Sequence, residues 1–220
     1  MSRPVDVTEA RESVRRMGLR LVETGLVIGT WGNVSVRVGD RIVITPSGAD
    51  YTKLADDELP VIDLASGEWD GPTPSSERGL HLAVYRERPE IGAVIHVHSP
   101  HASTLAAAHR ELPPVLDDIA QLIGPGARLA PYALPTTKKI IRVTMKALRG
   151  RMAALMANHG AICLGRDLDE AFLCCQVLEK GCKAFIEAQF LGGAHGINKF
   201  EAWVMHQVFI RKYSRQWKDK

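Results

Sequence analysis

The chain has 220 residues, of which 45% are apolar and 24% charged, with a net charge of +3. That composition is of an ordinary globular kind with enough apolar side chains for one sizeable core, and so small a charge excess argues against nucleic-acid or membrane partners. The four cysteines, Cys163, Cys174, Cys175 and Cys182, crowd into one region without a CxxC pair, which excludes a disulfide scaffold and a zinc ribbon and predicts reduced core thiols. Together with an N-terminus that is charged rather than apolar, this makes a cytoplasmic location the expectation.

In chain order, Ala10, Val14, Met17 and Leu21 recur at helical spacing between Asp6 and Glu23, and Gly25 can end that helix. Its arginines, Arg11, Arg15, Arg16 and Arg20, read as a solvated face. Val34, Val36 and Val38 alternate, Gly39-Asp40 turns the chain, and Ile42 and Ile44 resume the pattern, as in a β-hairpin. A short strand at 61–64 follows. The loop GPTPSSE then leads into a helix expected to begin near Ser75 or Ser76 and to close at Pro89. A strand at 91–97 ends in His96-Val97-His98, Pro100 can open a helix reaching Ala108, and Pro113-Pro114 breaks the chain. Further elements are expected at 128–132 (strand), 136–148 (helix), 153–157 and 160–164 (strands) and 167–191 (the longest helix). A final amphipathic stretch at about 199–218 carries Phe200, Trp203, Val204, Phe209, Tyr213 and Trp217. No repeat or linker divides the chain, so one domain over 1–220 is expected.

The chemistry concentrates at a few positions. Residues i and i+2 of a strand project from one face, so His96 and His98 can converge two imidazoles on one ion. His159, ahead of Gly160 at a strand end, offers a third and leaves a coordination position open. Glu77, at the inferred helix start, is by itself an ordinary first-turn acid; beside a bound ion it gains the roles of fourth ligand and general base or acid. Three small-residue loops, Gly32-Asn33-Val34-Ser35, Thr45-Pro46-Ser47-Gly48 and Pro74-Ser75-Ser76, carry the hydroxyl, amide and backbone donors that a phosphate dianion needs, although each alone reads equally as a turn. None is a Walker A loop.

In order, GTWGNVSVR, ITPSG, PSSE, HVHS and NHG resemble the class II aldolase/adducin family, in its L-fuculose-1-phosphate aldolase-like branch, over roughly residues 6–190. The resemblance implies an α/β fold, a three-layer α/β/α sandwich around a mainly antiparallel sheet, and a homotetramer with active sites at subunit interfaces. It implies metal ligands at His96, His98 and His159, with Glu77 as both resting ligand and catalytic acid/base. Phosphate contacts fall on Asn33, Ser47, Gly48, Ser75 and Ser76. The cofactor it implies is one Zn2+ per subunit, with Mn2+, Co2+ and Fe2+ open.

The reaction so implied is cleavage of a ketose 1-phosphate to dihydroxyacetone phosphate and an aldehyde through a zinc-stabilised enediolate. One position departs from the pattern: where the family uses a partner-subunit tyrosine at the aldehyde end, Asp117 stands here; Asp117 or Asp118 could substitute as an acid, or Tyr132 or Tyr213 swing in, and the two aspartates otherwise read as a solvated turn or helix cap. That shifts the expected substrate from fuculose 1-phosphate toward less polar deoxy- or methylthio-pentulose 1-phosphates. Decarboxylase, dehydratase and 4-epimerase chemistries on phosphorylated sugars or sugar acids remain as alternatives with the same metal site, and a metal-free adducin-like interaction module as one of another class.

Overall fold

The structure, a computed structural model, describes residues 6–213, with side chains as far as Arg211; the side chain of Tyr213 and the whole of Trp217 lie outside the described residues. Helix α1 (Val7–Glu23) opens on Asp6, whose carboxylate accepts from the Glu9 amide, and buries the expected stripe Ala10, Val14, Met17 and Leu21. Its arginines are busier than a solvated face. The Arg11 guanidinium donates to the Leu59 carbonyl, Arg15 pairs with Asp56 at 2.6 Å, and Arg20 lies 4.0 Å over the Phe172 ring while pairing with Asp169.

The hairpin forms as β1 (Asn33–Val38) and β2 (Arg41–Ile44), with Gly39 supplying the positive φ the turn requires. β3 (Val61–Asp63) follows, then a two-residue strand, β4 (Trp69–Asp70), too short to show a periodicity in the sequence. Helix α2 spans Arg78–Glu87 and so begins after both serines expected at its start. The Ser75 amide is already committed to the Thr45 carbonyl, which keeps residues 73–76 pinned along the hairpin and delays the helix. Next come β5 (Ala93–Val97), α3 (Pro100–Ala107), an unexpected π-helical turn at Ile119–Ile123, β6 (Arg128–Ala130) and α4 (Lys138–Leu148). The chain continues through β7 (Ala153–Met156), β8 (Gly160–Gly165), α5 (Leu168–Phe190) and α6 (Lys199–Val208), which ends in a second π-helical turn at Phe209–Tyr213.

The strands form one sheet in the order β4-β3-β2-β1-β5-β8-β7-β6. Every pairing is antiparallel except β6 with β7, and that parallel pair is joined by the crossover helix α4, as parallel neighbours require. Helices α1 and α5 pack on one face of the sheet, and α2 and α4 on the other, giving the layered α/β/α arrangement expected. The thiols of Cys163, Cys174, Cys175 and Cys182 are free and buried in the core. Among the described residues no helix is long and apolar enough to cross a membrane.

Register now places the chemistry. Asn33 of β1 pairs with His96 of β5, and His96 with Ile162 of β8, so the start of β1, the end of β5 and the start of β8 meet at one edge of the sheet. Directly paired residues share a face, and α2 lies over that face with Glu77 just before its first turn.

Candidate active site

His96, His98 and His159 converge so that one nitrogen from each lies within 4.8 Å of the others. His96 and His98 come from the strand period of two, as expected. His159 arrives from the β7–β8 turn, where Gly160 permits the approach: a Cβ there would collide with the Val97 backbone oxygen. Gly32, at φ 119°, is needed for a similar reason, because a Cβ would stand 2.8 Å from the His96 carbonyl.

The donor set fits a divalent cation. The Nδ1 atom of His96 lies 2.9 Å from the Ala161 carbonyl and donates to it, which fixes the ring so that Nε2 faces Nε2 of His98 at 2.8 Å. Burial, followed by the neighbouring imidazoles, pushes His98 down to about 3 and lowers His159, so both are neutral near pH 7 as metal ligands must be. Buried Nδ1 of His159 has no hydrogen-bond partner among the described residues, which makes this a poorly satisfied structural histidine.

Glu77 closes one side of the triad. Its Oε2 lies 3.1 Å from His96 Nε2 and its Oε1 3.4 Å from His159 Nε2. Burial raises this carboxyl, but the imidazoles of His96 and His159 and a 2.8 Å hydrogen bond from Asn33 Nδ2 outweigh it and hold it below the usual range. Glu77 is therefore ionised. On another flank, the ring of Trp31 stands 5.8 Å from that of His98 and is 67% exposed, an aromatic wall that its position in a glycine-flanked turn did not reveal.

The three small-residue loops become one surface. Thr45 bonds Val34 through its backbone amide and its hydroxyl, the Ser47 amide donates to the Thr73 carbonyl, and Pro46 bridges Pro74. Ser47, Gly48 and Ser76 lie exposed on this surface, whereas Ser75 is buried and its Oγ accepts from the Glu77 amide. Asn33 is buried too, and its side chain is engaged by Glu77 on one side and His81 on the other.

The residues singled out for the aldehyde end do not gather so neatly. Asp118 is spent on structure: Oδ1 caps the Ile119 amide and Oδ2 pairs with Lys180 at 2.5 Å, which is the cap reading rather than that of a substrate acid. Asp117 and Tyr132 are exposed. Sequence reasoning also missed Glu179 of α5, whose carboxylate accepts from the His101 and Ala102 amides, the Ser99 hydroxyl and His101 Nδ1, all at 2.6–3.0 Å. It pins the segment immediately after His98.

Residues 12–186 match the model of the "Class II Aldolase and Adducin N-terminal domain" family. A 5-methylthioribulose-1-phosphate/5-deoxyribulose-1-phosphate aldolase of Rhodospirillum rubrum is 42% identical over 148 residues, 67% of this chain and 66% of that protein. A 5-deoxy-D-ribulose 1-phosphate aldolase of Bacillus thuringiensis is 34% identical over 83% of this chain and 86% of its own. Among solved structures, an L-fuculose 1-phosphate aldolase superposes with a TM-score of 0.87 at 33% identity, covering 91% of this chain and 96% of its own. A 3-oxo-tetronate 4-phosphate decarboxylase of Haemophilus influenzae, 32% identical over 81% of this chain and 88% of its own, is similar as well. With its histidine triad, its flanking carboxylate and a family match across most of its length, the chain belongs to the class II aldolase and adducin family.

Proposed function

We propose that this protein is a metal-dependent class II aldolase that cleaves a pentulose 1-phosphate with an apolar tail, of the 5-deoxy or 5-methylthio kind, to dihydroxyacetone phosphate and an aldehyde. The family and the names of its relatives make the chain a lyase of the sugar-phosphate aldolase type, and the family is generally metal-dependent. The observation that carries the finer reading is the ionised Glu77 carboxylate set against a three-imidazole cluster, with a serine-, glycine- and asparagine-lined surface beside it.

His96, His98 and His159 would hold the ion, with Zn2+ proposed on the strength of an all-imidazole triad and Mn2+, Co2+ and Fe2+ as rivals. Bound there, it supplies an electrophile that draws charge off the substrate carbonyl. Glu77 returns a proton to the carbon freed by cleavage and removes it in the reverse direction. Ser47, Gly48, Ser75, Ser76 and Asn33 are proposed to hold the phosphate, Ser47 and Ser76 by exposed hydroxyls and the buried residues by fixing the loops, so that the reacting carbon stays against Glu77. Trp31 supports the apolar tail, since an exposed aromatic ring beside the triad favours a methyl or methylthio group over a hydroxyl.

Assembly as a homotetramer is proposed too, supported by exposed apolar side chains at Tyr132, Leu134, Phe190, Leu191 and Trp203 that a subunit contact would cover. The similar decarboxylase favours a second reading, loss of carbon dioxide from a phosphorylated keto-acid at the same triad. Ser76 stands against it, since an acidic substrate group would be better met there by a cation.

The deciding experiment incubates metal-loaded protein with dihydroxyacetone phosphate in deuterated water and follows the C3 proton by NMR, with a chelator-treated control. Metal-dependent exchange is expected. Absence of exchange in protein that holds stoichiometric metal would remove the aldolase reading and favour the decarboxylase.

A further inference from the structure

Beneath Glu77 runs a buried chain of hydrogen bonds whose donor directions can all be assigned. Asn33 turns its Nδ2 toward Glu77 and donates to Oε2, 2.8 Å away. Its Oδ1 then faces Nε2 of His81 at 2.5 Å, and an amide oxygen only accepts, so that ring nitrogen carries the proton. His81 is fully buried on α2 and burial pushes it down to about 3, so it is neutral and has no second N–H. Nδ1 must accept from the Ser35 hydroxyl at 2.7 Å. With that proton spent, Tyr85 donates at its 2.8 Å contact with Ser35 Oγ, sharing the proton with the Ser35 carbonyl at 3.0 Å. Every donor points the same way, toward the carboxylate, an arrangement in which successive bonds polarise one another.

We propose that His81 is a positioning residue of the active site: held between Ser35 and Asn33 as the Nε2–H tautomer, it locks the Asn33 amide with its nitrogen toward Glu77 and so keeps that carboxylate aimed at the histidine triad. The proposal rests on the aldolase reading for what Glu77 does. Without the His81 donor, Asn33 gains a second orientation in which its oxygen faces the Glu77 carboxylate, two acceptors with no proton between them. The loss falls on proton transfer by Glu77, not on the metal, whose imidazoles the chain does not touch.

Three variants, His81→Phe, His81→Gln and Ser35→Ala, separate positioning from mere filling of space. His81→Phe keeps a ring and removes both hydrogen bonds; kcat is expected to fall about 10- to 100-fold while KM and Co2+ affinity stay within about 2-fold. His81→Gln restores one donor and one acceptor and is expected to recover most of that loss. Should His81→Phe not fold, Ser35→Ala reads the same chain with a smaller fall in kcat, because it takes away the donor that holds His81 Nδ1. The readout that needs no activity is long-range 15N–1H correlation on histidine-labelled, metal-loaded protein, with the His81 signal identified by its disappearance in His81→Gln. The Nε2–H pattern is expected in the natural sequence and in Ser35→Ala, where Asn33 Oδ1 still requires it.

An Nδ1–H pattern in the natural sequence, or a His81→Phe protein that keeps kcat or changes only KM, would overturn the proposal. If the natural sequence neither cleaves ketose 1-phosphates nor exchanges the dihydroxyacetone phosphate proton, the aldolase reading fails, and the tautomer still judges the chain.

Discussion

The two flanks of the histidine triad are built on opposite principles. On the Glu77 side every polar group is buried and partnered, from Tyr85 through Ser35, His81 and Asn33 to the carboxylate. On the other side stands Trp31, its ring 5.8 Å from that of His98 and largely exposed. The buried flank serves what is constant in the proposed reaction, a proton moved at one carbon. The open flank is proposed to face what varies, the aldehyde part. Rigidity is spent where geometry decides the rate, and exposure is kept where a partner surface or a substrate tail must fit.

Breaking the buried flank has the largest expected effect. Glu77→Gln removes the proposed acid/base and keeps an isosteric side chain, so turnover and C3 proton exchange should drop by about 10²–10⁴-fold while stoichiometric metal is retained. Unchanged exchange in that variant would move the proton-transfer role elsewhere. The same flank has a pH signature in the metal-free protein. His81 stays neutral in the fold until about 3, whereas in the unfolded chain it takes up a proton near pH 6.5. Between those values the unfolded state binds the extra proton, so stability is lost as pH falls through the window. By pH 4.5 the loss is roughly 2 to 3 kcal/mol from this group alone. Urea unfolding at pH 7 and 4.5 should show a pH slope shallower by about one proton in His81→Phe; parallel slopes would mean that the buried imidazole is not the group responsible.

The open flank should respond in selectivity. Trp31→Ala removes the ring beside His98, and kcat/KM for a methylthio- or deoxy-tailed substrate is expected to fall about 10-fold relative to one with a hydroxylated tail. A fall equal for both tails would make Trp31 a packing residue with no voice in the choice of substrate.

The same contrast explains what could be read from the sequence. Members of the histidine cluster that rest on local rules were legible: His96 and His98 share a face by strand period, and Gly160 beside His159 marked a close approach that the Val97 backbone now accounts for. So were the major helices and strands, whereas the layering of the sheet came only through the family resemblance. The supporting contacts were not, because they join distant segments. His81 meets Asn33 across 48 positions and Ser35 across 46, and Glu179 reaches Ser99 across 80, through a strand register that no single segment encodes. The start of α2 was misplaced for a related reason: serine is a common cap, but here Ser75 is held by Thr45, a contact with the hairpin. At the aldehyde end Asp118 turned out to be a cap paired with Lys180, a role equally consistent with the sequence.

The smallest effect is the one that tests whether backbone strain is stored beside Glu77. Thr136 has φ 67° and lines a small cleft with Ser76 and Glu77, so a β-branched side chain sits in the left-handed region beside the Glu77 carboxylate. Thr137 follows it as the cap of α4, accepting from the Ile140 amide, and its hydroxyl also donates to the Leu134 carbonyl, so the turn is fixed from both sides and Thr136 must take what conformation remains. Glycine has no Cβ to oppose that φ, although it widens the freedom of the unfolded chain and returns part of the gain. Thr136→Gly should therefore raise stability by about 1 kcal/mol or less, measured by urea unfolding. If the threonine side chain is kept there to touch substrate, the same variant will lose kcat/KM as it gains stability. A variant that gains stability with kcat/KM unchanged would make the strain a cost of the turn alone.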